Sequence, residues 1–201
     1  MIKNFIPTIN ISSIIKKNQD KKKIYLTIKK IEKACIDVGF FQIIVHVIDQ
    51  KKIKSICKVG NKFFNLSNKS KKKLSPKKWN SINKNIYRGY FPNDVNGKEG
   101  LDLGDLQVTK NYSNKIKNPY IEYLNLKKCF DNNSIKMLEK YYTNIFSLSE
   151  ELFKSIIKLY KKNPNNSKIA FSRQKTLSTL RFNFYSNQRK PVEISKQDGV
   201  Y

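Results

Sequence analysis

Ile24 to Ile48, IYLTIKKIEKACIDVGFFQIIVHVI, constrains this chain more than any other stretch. Its first half places Ile24, Ile28, Ile31, Cys35 and Val38 at alternating steps of four and three residues, which draws one stripe along a helix. Gly39 then supplies the left-handed residue that commonly ends a helix. Phe40 to Ile48 is almost unbroken in β-branched and aromatic residues, a pattern that predicts a strand buried on both faces. Asp49 can cap a second helix, whose apolar face would carry Ile53, Ile56, Cys57, Gly60, Phe63 and Phe64. The expected unit is helix, central strand, helix.

Other segments carry weaker patterns. Ile6 to Ser12 alternates after a proline and reads as a short strand, followed by a basic loop from Ser13 to Lys23. Lys69 to Lys78, KSKKKLSPKK, reads as a solvated loop and short helix end. Asn93 to Gly104 is rich in Gly, Asp and Asn and reads as loop, with a strand from Leu106 to Lys110. Gly97 and Gly100 lack the preceding strand and following Lys-Ser/Thr of a phosphate-binding loop. From Ser134 to Lys162, Leu138, Tyr141, Ile145, Leu148, Leu152, Ile156 and Leu159 recur at helical spacing, and Pro164 ends the pattern. Such a helix would be roughly 40 Å long, packed on a sheet in preference to a coiled-coil partner. Thr179 to Tyr185 alternates with period two, placing Arg181, Asn183 and Tyr185 on one face. Those donors suit an anionic small molecule, and a strand with one solvated face carries the same pattern.

Charge raises a different class of partner. The 201 residues hold 41 Lys and Arg against 15 Asp and Glu, a net +26, as nucleic-acid-binding proteins often do. Only four of the basic residues are Arg (Arg88, Arg173, Arg181, Arg189), although Arg is favoured for bidentate phosphate recognition. Lys, Asn and Ile are enriched together, as a very AT-rich genome would produce, so nucleic acid is not the expected partner. Cys35, Cys57 and Cys129 are odd in number and scattered; they read as buried thiols of a reducing compartment. No segment approaches the ~20 apolar residues of a membrane span, and the N-terminus lacks a secretory leader pattern. A cytoplasmic location is expected.

The segment IEKACIDVGFFQIIVHVI resembles the signature I-x-x-A-C-x-x-x-G-F-F-Q-I-x-N-H-G-I of the isopenicillin N synthase-like, non-haem iron and 2-oxoglutarate-dependent oxygenases. Val45 and Val47 depart from it, standing where that family usually has Asn and Gly. Further likenesses follow in order: IPTINIS to I-P-x-I-D-I-S, FFNLSNKSK to F-F-x-L-P-x-x-x-K, YRGYFP to a G-Y motif, and Asp102 to Asp105 to D-x-K-E. TLRFNFYS resembles the cavity strand L-R-L-N-Y-Y-P. The resemblance implies an α+β chain, the N-terminal helix and strand region of a double-stranded β-helix (jelly-roll) oxygenase with its barrel incomplete. Residues 1–201 would form a single domain, with the N-terminal region at 6–130, the long helix at 134–162 and the first core strands at 179–201. The parent enzyme would oxidise a small-molecule substrate at Fe(II), usually by decarboxylating 2-oxoglutarate. By resemblance, Asn183 and Tyr185 line the cosubstrate cavity, and Arg88 and Tyr185 contact substrate.

The family holds iron with an H-x-D motif and a distant His, and grips 2-oxoglutarate with R-x-S. Neither motif occurs here, and His46 is the only histidine in the sequence. His46 matches a non-ligand position of the signature and is expected as a structural residue on the buried strand. No catalytic or metal-ligating residue is therefore assigned, and neither Fe(II) nor 2-oxoglutarate is expected to bind this chain alone in the family mode. Glu193 to Tyr201 ends where family members enter the H-x-D strand, so the chain reads as truncated, with the C-terminal metal-binding half absent. The alternatives are a non-catalytic remnant, a subunit complemented by a second polypeptide that supplies the triad, and a basic nucleic-acid-binding protein. A half barrel would leave strand edges and apolar faces open, and hence sticky.

Overall fold

The computed structural model describes residues 6–15, 20–92, 98–111, 122–159 and 178–185. In chain order the elements are β1 (Thr8–Asn10), α1 (Ser12–Ile15), α2 (Lys21–Asp37), β2 (Gln42–Ile44), α3 (Gln50–Phe64) and α4 (Asn68–Lys71). After a 3-10 turn at Lys72–Leu74 come β3 (Gly89–Phe91), β4 (Lys98–Leu103) and α5 (Leu106–Asn111). A second 3-10 turn at Leu126–Lys128 leads into α6 (Asn132–Leu159), and β5 (Leu180–Tyr185) follows. These elements fall into two compact units. The first holds β1, α1, α2, β2, the first half of α3 and α6 from Lys136; the second holds the rest.

In the first unit β1 and β2 pair in parallel, Thr8 opposite Gln42 and Asn10 opposite Ile44. Asp20 caps α2 by accepting the N–H groups of Lys22 and Lys23, at 3.0 and 3.2 Å. The buried face of α2 carries Thr27, Ile28, Ile31 and Ala34. It joins Ile9, Ile11, Ile14, Ile48 and Leu148 in one core, against which Tyr141, Ile145, Leu152 and Ile156 of α6 also pack. Each fully buried isoleucine contributes roughly 2 kcal/mol. α2 ends as its sequence predicts: Gly39 has φ +91° and its N–H bonds to the Ala34 carbonyl. Asp49 caps α3 by accepting the Lys51 N–H at 2.7 Å.

Three expectations are corrected here. The strand expected over Phe40 to Ile48 is only β2, and it is not buried on both faces: Phe40, Gln42, Ile44 and Val47 are exposed. β2 pairs on one edge with β1 among the described residues, and Val45, at φ +58°, breaks the extended backbone immediately after it. His46 consequently lies outside the strand, between bends at Val45 and Val47, half-buried, with Nδ1 accepting the Ile48 N–H at 3.3 Å. The stripe on α2 runs through Ala34 and that on α3 through Val59, which leaves Cys35 and Cys57 exposed. The basic loop from Ser13 to Lys23 is helical at both ends, in α1 and in the first turn of α2; residues 16–19 lie outside the described set.

In the second unit β3, β4 and β5 form an antiparallel sheet in that order. Tyr90, Leu101 and Leu103 are buried on its inner side. Phe64 of α3 stacks on Phe184 at 5.0 Å, and Phe63 meets Tyr90 edge-on at 5.6 Å. Gly60 permits that approach: a Cβ there would sit 2.7 Å from Phe182 Cδ1. Lys71, read as part of a solvated run, is 4% exposed. Its Nζ donates to Glu99 at 2.6 Å and to the Phe64 carbonyl at 3.2 Å, and Glu99 also accepts the Tyr90 hydroxyl. Lys72, Lys73, Lys77 and Lys78 are exposed, as that run predicts.

The loop expected at Asn93 to Gly104 is strand from Lys98 to Leu103. Its composition misleads because Glu99 and Asp102 each sit in the sheet with a cationic partner, Lys71 and Arg181. Leu106–Asn111 is helix and not strand, since Asp105 accepts the N–H groups of Gln107 and Val108 as a cap. The long helix stands as expected from Asn132 to Leu159; residues 160–162 and the expected strand after Tyr185 lie outside the described set. Among the described residues no barrel closes, and no helix is long and apolar enough to cross a membrane.

Candidate functional site

β5 alternates as its sequence predicts, with Leu180, Phe182 and Phe184 half-buried and Arg181, Asn183 and Tyr185 exposed. Residues directly opposite on an antiparallel ladder share a face. The register therefore extends the outer face from Arg181 to Asp102, from Asn183 to Gly100, and from Tyr185 to Lys98. Beyond β4 it reaches Gly89 and Phe91 of β3. Gly100 leaves a shallow floor between Asn183 and Phe91, whose Cβ would lie 3.8 Å from a Cβ on that glycine. Trp79 meets Phe91 edge-on at 5.6 Å and walls the far side.

The face has one fixed charge pair. Arg181 makes a two-pronged contact with Asp102, Nε to Oδ1 at 2.6 Å, with Asp102 only 3% exposed. Hydrogen bonding to Asp102, and then its negative charge, raise the Arg181 pKa above the ordinary guanidinium value. The pair locks β5 to β4 and supplies the desolvated carboxylate with a partner. Asn183 and Tyr185 make no side-chain hydrogen bond among the described residues, so both side chains are available to a ligand.

Arg88 is placed differently. It is 7% exposed, and its guanidinium donates to Thr179 Oγ1 and to the Ser178 carbonyl, immediately before β5. Its backbone N–H, with those of Ile86 and Tyr87, is accepted by the Glu122 carboxylate. Asn183 and Tyr185 thus share a face, while Arg88 anchors the start of their strand. Sequence reasoning missed Asp102, Gly100 and Glu122. A glycine two residues before an aspartate in a strand marks close backbone approach beside a buried acid, but the stretch reads as loop by composition.

An iron triad does not fit the residues present. Among the described residues no group of three or more His, Cys, Asp or Glu could hold a metal. His46, the sole imidazole, already accepts a backbone N–H.

Residues 6–134 match the family model described as the N-terminal region of a non-haem dioxygenase in morphine synthesis. A Dictyostelium discoideum protein named as a probable iron/ascorbate oxidoreductase is 37% identical over 112 residues, 49% of this chain and 28% of that protein. Among solved structures, a 2OG-Fe(II) oxygenase family protein from Caulobacter crescentus superposes with a TM-score of 0.65 at 16% identity, over 89% of this chain and 55% of the other. The Arabidopsis thaliana dioxygenase for auxin oxidation 1, in its 2-oxoglutarate complex, gives 0.58 at 17% identity, over 82% and 53%. The chain therefore spans about half the length of these solved proteins and aligns to 28% of the curated one. At such identities the structural likeness shows the fold alone, a mixed helix-and-sheet arrangement shared with about half of each of these proteins.

Proposed function

The chain belongs to the non-haem dioxygenase family, by that family's N-terminal region, and we propose that it forms the N-terminal portion of an oxygenase that uses Fe(II) and 2-oxoglutarate to oxidise a small molecule. The observation that carries this reading is the outer face of β5, where Asn183 and Tyr185 stand free beside Gly100 and the Arg181–Asp102 pair. The Asn183 amide and Tyr185 hydroxyl would donate hydrogen bonds to the cosubstrate, and Tyr185 would also face the substrate. Arg88, with donors beyond those on Thr179 and Ser178, would add a contact to a substrate carboxylate while those two bonds fix where β5 begins.

Bound iron would supply the activation of O2, and the chain's own residues would bind and orient the organic partners. With one histidine, these 201 residues do not provide two imidazole ligands. The triad and the R-x-S grip must come from polypeptide beyond them, continuous or separate, and the chain alone is inactive on this reading. The test is an Fe(II) titration and a succinate assay with 2-oxoglutarate, on the 201-residue chain alone and on a form extended or mixed with a polypeptide bearing H-x-D, His and R-x-S. The reading expects succinate only from the completed form, reduced by Asn183→Ala and Tyr185→Phe. A tight one-to-one iron site with succinate release from the chain alone would overturn it.

A further inference from the structure

A cleft between the first half of α3 and α6, wholly within the first unit, has no part in that chemistry. It encloses about 290 Å³, close to the lower end of the range for small-molecule sites, ~300–1,000 Å³. Its floor is apolar: Ile56 is buried, and Met137 and Tyr141 are half-buried. Its rim is cationic, formed by Lys51, Lys52 and Lys140, and no carboxylate lines it. None of these three lysines makes an ion pair among the described residues. The acid nearest in sequence, Asp49, precedes α3 and caps it by accepting the Lys51 N–H, and it does not line the cleft.

Asp49 already meets the helix dipole at the start of α3, but Lys51 and Lys52 in the first turn and Lys140 on α6 have no carboxylate within the cleft. An anion among the three ammoniums would offset their mutual repulsion. An apolar body attached to it would displace water from the floor. Lysine is abundant throughout the chain, so charge alone would not single out this place. Three unpaired ammoniums around an apolar concavity do.

We propose that this cleft binds a small amphiphilic anion, a carboxylate or its like carried on an apolar body of on the order of a dozen non-hydrogen atoms. The site is independent of the oxygenase reading. The probe is 4-phenylbutyrate, titrated calorimetrically into the full 201-residue chain, with neutral 4-phenylbutan-1-ol as its counterpart. Saturable one-to-one binding is expected, at least about tenfold weaker for the alcohol and for the K51Q/K52Q/K140Q variant, since each removes the charge attraction. The K69Q/K72Q/K73Q variant removes the same charge at exposed lysines of the other unit and is expected to bind as the parent does. Absent or non-saturable binding, equal affinity for the alcohol, or equal losses in the two triple variants would each overturn the proposal.

Discussion

Val45 offers the sharpest test of the local physics. Its φ is +58°, a left-handed conformation that costs an L-residue roughly 1–2 kcal/mol, and a β-branched side chain belongs at the upper end of that range. The residue is 51% exposed, so trimming its side chain forfeits about half the value of a fully buried valine, roughly 0.7 kcal/mol. Asparagine tolerates the left-handed region through its short polar side chain. Val45→Asn should therefore stabilise the chain by about 1 kcal/mol, or ~2–4 °C in Tm for a chain of this size. Val45→Ala keeps most of the backbone strain and loses the packing, so it should destabilise by up to about 0.7 kcal/mol. Val45→Gly relieves the strain but adds unfolded-state entropy worth roughly 0.5–1 kcal/mol, leaving it near the parent. Urea unfolding followed by circular dichroism reads all three. The reasoning fails if the alanine variant is as stable as the asparagine variant, because the backbone angle would then carry no cost. The oxygenase signature has Asn at this position, so the variant would also restore the family residue.

Other expectations follow from single contacts. Lys71→Ala leaves Glu99, whose side chain is 16% exposed, without its cation and should cost about 2–3 kcal/mol in urea unfolding, whereas K71M/E99Q together should recover much of that loss. Ellman's reagent should titrate Cys35 and Cys57 promptly and Cys129 slowly, because Cys129 is half-buried, donates to the Ser70 carbonyl at 3.2 Å, and has its pKa raised chiefly by burial. Asp131 caps α6 by accepting the Ser134 N–H at 2.7 Å and its hydroxyl at 2.9 Å, bonds that lower its pKa. That stabilisation is fully present above the ordinary aspartate pKa of about 3.9 and is lost as pH falls through the depressed native value. Helicity followed down from pH 5 should show this acid loss in the parent, diminished in Asp131→Asn.

Periodicity made α2, α3, α6 and β5 legible, because a stripe of burial at helical or alternating spacing needs no knowledge of partners. The caps at Asp49 and Gly39 were legible for the same reason: each acts within a few residues of its own position. What escaped depends on distant groups. β4 looks like loop until Lys71 and Arg181 are seen to accompany Glu99 and Asp102. α5 hides because its cap, Asp105, sits inside a stretch already read as loop. The brevity of β2 follows from one backbone angle at Val45, and valine itself argues for extended structure. On β5 the shared exposed face of Asn183 and Tyr185 was readable from alternation, but the fixing of that strand by Asp102 and Arg88 was not.

The bonds that fix β5 have a temporal meaning as well as a spatial one. Arg88 finds Thr179 across 91 residues, and Asp102 finds Arg181 across 79. At a synthesis rate of ~5–20 residues per second, the β3–β4 pair waits about 4 to 16 seconds for its third strand to be made. Throughout that interval the carboxylate of Asp102 has no guanidinium, and Leu101 and Leu103 border an open edge that any passing strand could occupy. The sheet of the second unit is thus a late product of the growing chain, and its most exposed moment comes before Asn183 and Tyr185 exist.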